Sequence, residues 1–380
     1  MIHVVKSGES LFTIARRYDT NSATLAAVNE LPDPDVLVVG QALYIPQTPD
    51  PDRRTIETNA YAEWYTAEPP ASLMNEIRKR GPELTYIMPF AYEVRRNGSL
   101  VPFSWGDIGE AAARQGASTA IVIVNIEEGG FSDTLAEALF DDPAAQDRMI
   151  REIIAMAKEK GAKDVHVDFE YLGRENREKY TAFLRKLKNG ISPEGLTLSV
   201  ALPPKTSAEQ PGKWYEGHDY AAIGNIADFV VVMTYEWGYS GGPPMAVSPI
   251  GPVRDVLEFA VSVIPANKVH MGQNLYGYDW TLPYKQGNPP ARTLSPQAAL
   301  ALARERNAAI QYDETAQAPF FNYWLDGKEH VVWFEDARSI KAKFDLLNEL
   351  KLRGISYWHL AFPFPQNWQI LSQMFHVKKL

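Results

Sequence analysis

The sequence predicts an α/β protein, a (β/α)8 TIM barrel with a small α+β insertion, preceded by a small βααβ domain. Three observations carry that expectation. From Ile56 onward, strand-like runs alternate with amphipathic helical runs, the pattern of a parallel sheet built from βα units. Eight such strands fit the 380-residue length, which suits a closed barrel better than an open sheet. The first fifty residues follow another pattern and are set off by a proline-rich stretch.

Residues 1–47 start with a short strand that runs into Ser7-Gly8-Glu9-Ser10. Ser10 can cap a helix bearing Leu11, Ile14 and Ala15, a second helical piece carries Leu25 and Val28, and Gly40 turns the chain into a closing strand. Its GESLFTIA, Asn29 and GQALYIP stretches resemble the LysM module, which implies binding to N-acetylglucosamine-containing glycans. A small docking domain without a ligand is the alternative. Residues 48–55 fall within PQTPDPDRRT, whose three prolines and mixed charge read as a stiff, extended linker.

The barrel domain is expected over 56–380, its strands lying in IETNAYAEW, ELTYIMPFAY, TAIVIVNIE, DVHVDFEY, LTLSVALPP, DFVVVMTYEW, KVHMGQNLYGY and GISYWHLAF. Residues 279–335, between the seventh and eighth strands, hold a helix and a hairpin pattern around Asp326-Gly327, and should wall a groove. Most strands end in polar or aromatic residues, including Asn125, Glu170, Tyr235 to Trp237, Gln273, Asn274, Tyr276 and Trp358, and in a barrel such ends meet at one mouth.

The stretch VHVDFEYL, Val165 to Leu172, alternates apolar and ionisable residues with period two, so His166, Asp168 and Glu170 should face one side. Successive same-face residues lie roughly 7 Å apart, close enough for Asp168 to hold Glu170 protonated by like-charge repulsion. The arrangement suits a general acid. A surface strand with its polar face in water is the bland alternative, and the flanking helical stretches argue against it.

DVHVDFE resembles the fourth-strand signature DxxDxDxE of glycoside hydrolase family 18. The resemblance assigns Glu170 as proton donor and Asp168 as the residue that holds the substrate's acetamido N–H and stabilises an oxazolinium ion. Tyr235, in MTYEW, matches the tyrosine that aligns the acetamido oxygen, and Trp358 matches the tryptophan that floors the sugar pocket. Glu236 stands where the family has Asp, and His166 where it has the middle Asp. A neutral His166 could hydrogen-bond Asp168, and a satisfied core histidine is preferred to a proton-transfer role. Asn125, Gln273, Asn274, Tyr276 and Trp237 complete the expected sugar contacts, with Tyr239, Tyr278, Trp280 and Trp333 as further stacking surfaces.

Composition narrows the partners. No cysteine is present, so neither a disulfide nor a thiolate site is possible, and the seven histidines are scattered without metal-ligand spacing. No metal or other cofactor is expected. A net charge of −9 without a basic stripe argues against nucleic acid, and the absence of a long apolar run argues against membrane insertion or a usual export signal. DFEYL, MTYEWGYSGGPP, SPIGPV, MGQNLYGYDW, QGNPPA and FPFPQNW resemble the spore-cortex-lytic N-acetylglucosaminidase branch of the family. That implies peptidoglycan as partner, cleavage after N-acetylglucosamine with retention, a role in germination, and a spore-associated location. A chitinase or chitooligosaccharide hydrolase, or a non-catalytic glycan-binding protein, are the other readings, and Glu170 argues against the last.

Overall fold

The computed structural model describes all residues, Met1–Leu380. Eight parallel strands follow one another around a closed barrel: Thr55–Glu63, Tyr86–Phe90, Ser118–Val124, Asp164–Asp168, Thr197–Leu202, Phe229–Val232, Val269–Asn274 and Gly354–Trp358. Pairing of the eighth with the first closes the ring. Outward-facing residues such as Val165, Val167, Leu198 and Val200 pack under the surrounding helices in the main core. The helix Pro143–Lys160 shows how the sequence sets these elements. Asp142 caps it, Pro143 opens it, and Ala145, Met149, Ile153 and Ala157 recur at helical spacing on its buried face. Gly161, at φ 67°, stops it and turns the chain into the fourth strand.

The inner face of the barrel is partly polar. Tyr61, Tyr86, Met88, Val122, Phe229 and Val231 fill it together, and Asp164, His166, Ser199, His270 and Ser356 lie among them, buried.

The insertion is a five-stranded antiparallel sheet with the helix Pro296–Glu305. Its hairpin turns at Asp326-Gly327, both in the left-handed region, between Leu325 and Lys328. The sheet takes Gly277–Thr281 from what the sequence suggested was the end of the seventh barrel strand, which stops at Asn274. Leu275 and Tyr276 form the corner between the two sheets.

The N-terminal domain pairs Ile2–Val4 with Ala42–Tyr44 around helices Leu11–Arg17 and Ser22–Val28, and Ser10 caps the first helix through a capping box with Thr13. Leu43 faces this domain's own core, while Ala42 and Tyr44, its neighbours on the strand, belong to the barrel's core. The domain is therefore docked. Glu30 bonds Lys79 and Arg80, Gln366 donates to the Ala42 carbonyl at 2.7 Å, and Tyr44 Oη reaches Gln373 at 2.9 Å. At Gly40 a Cβ would stand 1.8 Å from the Ile310 carbonyl oxygen, so only glycine allows this approach. The proline-rich segment is also held against the barrel domain. Arg53 donates to the Phe375 carbonyl at 3.0 Å, His376 lies 3.1 Å from the Pro51 carbonyl, and Thr55 already belongs to the first barrel strand.

Candidate active site

The alternation predicted for VHVDFEYL persists beyond the end of the fourth strand. Phe169 turns outward into a stack with Tyr180 and Phe183, at centroid distances of 6.1 and 5.9 Å. Asp168 and Glu170 are left facing a cleft of about 620 Å³ at the barrel mouth. The same cleft is lined by Tyr235, Glu236 and Trp358, so these five expected residues meet.

Glu170 is held at two levels. Its backbone N–H donates to Asn125 Oδ1 at 2.9 Å, and Asn125 Nδ2 returns a bond to its carbonyl at 2.9 Å. Its carboxyl accepts from the Trp214 indole N–H at Oε2. Burial, reinforced by the neighbouring Asp168, raises its pKa well above the ordinary value, and the indole bond opposes this only in part. Asp168 is also pushed up by burial, and its Oδ1 is buried with no hydrogen-bond partner.

His166 does not bond Asp168. Its Nε2 lies 2.7 Å from Tyr61 Oη and its Nδ1 2.7 Å from Ser199 Oγ, which in turn donates to Asp164 Oδ2 at 2.5 Å. Burial drops its pKa to about 3, so the ring is neutral, with both nitrogens satisfied by hydroxyls.

Tyr235 stays a neutral phenol, because burial, and after it the negative charge shared by the Asp168–Glu170 pair and that of Glu236, raise its pKa. Glu236 adopts φ 70°, a left-handed conformation costly for a non-glycine residue, and it is anchored there by the hydroxyls of Tyr276 and Tyr278, the latter at 2.9 Å. Trp358 packs edge-on against Phe90 at 4.8 Å and lies 5.1 Å from Tyr61, which leaves one side of the indole to the cleft.

Five expected sugar contacts lie outside the cleft lining. Asn125 is fully buried, with its amide spent on the Glu170 backbone and the Ser132 carbonyl, so it fixes the Glu170 segment and is not free to meet a sugar. Gln273 and Asn274 are also fully buried. Asn274 donates to the Tyr276 carbonyl at 2.7 Å and accepts from Ser248, while Gln273 bonds Asn274. They shape the corner that presents Tyr276. Trp237 packs against the main core instead of lining the cleft. Tyr276 itself acts through Glu236.

Several lining residues escaped the sequence reading. Trp214 and Tyr215 come from the short helix Lys213–Glu216 after the fifth strand, where no period marks them. Tyr171 reaches the cleft through a left-handed turn at φ 56° and stacks on Trp214 at 5.8 Å. Tyr61 sits on the first strand at an inward position, and the alternation of IETNAYAEW was the available signal.

A carboxyl that burial favours in its protonated form, a second buried carboxyl and an indole face in one cleft suit glycoside hydrolysis. The family model for glycosyl hydrolases family 18 matches residues 61–362, and that for the LysM domain matches 3–46. The cortical fragment-lytic enzyme of Bacillus subtilis (strain 168) is 52% identical, covering 100% of this chain and 99% of its own. That of Bacillus anthracis is 47% identical with the same coverage. The solved spore cortex-lytic enzyme SleL of Bacillus megaterium QM B1551 superposes with a TM-score of 0.96 at 43% identity, over 100% of this chain and 99% of that one. A chitinase from Chromobacterium violaceum, at 24% identity and a TM-score of 0.76 over 84% of this chain and 99% of its own, shares the fold. With the family model spanning the barrel and its mouth, the chain belongs to the glycosyl hydrolases of family 18.

Proposed function

We propose that the protein hydrolyses the β-1,4 bond after N-acetylglucosamine in spore-cortex peptidoglycan during germination, by a substrate-assisted, retaining mechanism. The observation that carries this reading is the carboxyl of Glu170, held protonated beside Asp168 in a cleft whose chain resembles cortical fragment-lytic enzymes from end to end. Because the Trp214 indole occupies Oε2, the proton resides on Oε1, the oxygen left to meet a leaving group. Asp168 Oδ1, an acceptor without a donor, suits the acetamido N–H of a bound sugar and then the positive charge of an oxazolinium ion. The Tyr235 phenol donates to the acetamido oxygen and points it at the anomeric carbon. Trp358 supports the ring from below, and Glu236 takes a sugar hydroxyl.

Glycan recognition by the LysM domain and a spore-associated location belong to the same reading. No helix is long and apolar enough to cross a membrane. Mass spectrometry of fragments released from purified cortex tests it: fragments ending in N-acetylglucosamine are expected, and a thiazoline mimic of the intermediate should inhibit their release. Preferential cleavage of chitin oligomers over cortex would favour the chitinase reading, and equal cleavage of glucosides lacking the acetamido group would exclude substrate assistance.

A further inference from the structure

Behind the loop that carries Tyr239, the insertion encloses a second cavity of about 530 Å³. Arg292, Arg306, Lys328 and His330 line it against two acids, Asp279 and Glu305. Such a basic excess runs against the −9 charge of the whole chain. Asp279 is nearly buried and acts as an internal bracket, accepting from Tyr323 Oη at 2.7 Å, Arg292 at 3.0 Å and His330 Nδ1 at 3.0 Å. One carboxylate is thus consumed in fixing donors, and most of the five N–H groups of Arg292 remain for something else. Arg306 packs over the Tyr323 ring and reaches Glu305 at 3.1 Å, yet its Nε is buried with no hydrogen-bond partner. An unmet donor of a charged group is costly unless an acceptor arrives.

The cavity and the catalytic cleft share a wall. Tyr239 lines the cleft, while Ser240 and Gly241 line the cavity. Trp280 Nε1 and Tyr284 Oη donate to the Gly242 and Gly241 carbonyls at 2.9 and 3.0 Å, and Ala291 N–H to that of Ser240 at 2.8 Å, so the wall is tied to the cavity side. From Tyr239 to Gly241 the chain spans at most about 7 Å, short enough for one glycan to reach both.

We propose that this cavity is a carboxylate-binding subsite for the acid carried by a muramic sugar near the cleaved bond, a group that chitin and muramic lactam lack. The proposal rests on the peptidoglycan-hydrolase reading and sharpens it. The acid can be the lactyl carboxylate itself or a carboxylate of an attached peptide, and the cationic donors recognise either through charge-assisted hydrogen bonds.

Full-length protein with Glu170→Gln tests this by calorimetric binding of three tetrasaccharides of alternating N-acetylglucosamine and muramic acid: peptide-bearing, peptide-free with its lactyl carboxylate, and peptide-free with that carboxyl amidated. At least one acidic form should bind about tenfold tighter than the amidated one, as a charged hydrogen bond allows, and the advantage should shrink with salt. If only the peptide-free acid has the advantage, the lactyl carboxylate is the ligand; if only the peptide-bearing form has it, a peptide carboxylate is; if both have it, the cavity accepts either carboxylate. Adding Arg306→Gln with Lys328→Gln should bring the ratio to about one, whereas a misfolded variant would lose all three ligands. Lys328→Gln alone, at an exposed hairpin position, should lower the ratio part of the way and guards against that outcome. Equal binding of all three glycans, or a ratio the double variant leaves unmoved, overturns the subsite. Failure of the hydrolase reading looks different, because wild-type protein would then cleave none of the three.

Discussion

Asp164 and Asp168 lie on one strand, face the same interior and are both buried, yet their surroundings differ. Asp164 accepts from Thr197 at 2.6 Å and from Ser199 at 2.5 Å, and Ser199 carries the chain on to His166 and Tyr61. Asp168, two same-face positions nearer the mouth, has an oxygen with no partner at all. A buried polar group that is fully bonded serves the fold, while one left wanting a donor costs stability and gains from a ligand that supplies it. The barrel interior thus changes from satisfied to unsatisfied along a single strand.

The sharpest way to probe the unsatisfied end is Glu170→Gln, which keeps the shape and removes the proton. Turnover on cortex fragments should fall by about 10²- to 10⁴-fold with Tm unchanged, and near-normal turnover would dismiss Glu170 as the acid. Asp168→Asn should lower turnover by about 10²-fold, the scale of a lost electrostatic stabiliser. Because it replaces an unpartnered carboxyl with a neutral amide, chemical denaturation should show equal or greater stability.

At the satisfied end the balance reverses. Ser199→Ala breaks the chain between His166 and Asp164 and should cost about 1–3 kcal/mol of unfolding free energy, with turnover changed less than either cleft variant; a larger loss of turnover than of stability would erase the distinction. The smallest effect is a slope. Burial holds His166 down at about 3, so the unfolded chain binds more protons there and this residue's contribution grows as pH rises from about 3 to 6.5. Burial raises Asp164 to about 7, so its contribution has the opposite sign, present at low pH and lost as pH rises from about 4 toward 7. In wild type the two oppose each other. Asp164→Asn should leave the histidine unopposed, and unfolding free energy should rise more steeply between about pH 4 and 6.5, by up to about 1.4 kcal/mol per unit. Urea titrations across that range would show it, and parallel slopes would mean that Asp164 is ionised in the fold.

Much of the geometry at the mouth was legible because period two leaves little choice. Once Val165 and Val167 face helices, Asp168 and Glu170 must face the axis, and Tyr235 and Trp358 follow at the ends of their own strands. What periodicity lacks is depth. Asn125, Gln273 and Asn274 are polar residues at strand ends, as Glu170 is, and nothing local distinguishes one that meets solvent from one whose amide is consumed by a neighbouring backbone. Trp214 was invisible for a different reason, since it comes from a four-residue helix whose position depends on the fifth strand's connection. The docking of the N-terminal domain was equally hidden. Ala42, Leu43 and Tyr44 are alike in composition, and only the fold assigns Leu43 to one core and its neighbours to another.

The last residues have a consequence for how the molecule is made. His376–Val377 runs beside Thr55–Ile56, the eighth strand pairs with the first, and the helix Pro365–Met374 carries the side chains that grip the N-terminal domain. On a ribosome, the early strands emerge long before the partners that cover their edge. Ring closure and domain docking therefore wait until the segment from Gly354 to Val377 has been synthesised, and these contacts are late, long-range events that a shorter nascent chain cannot reach.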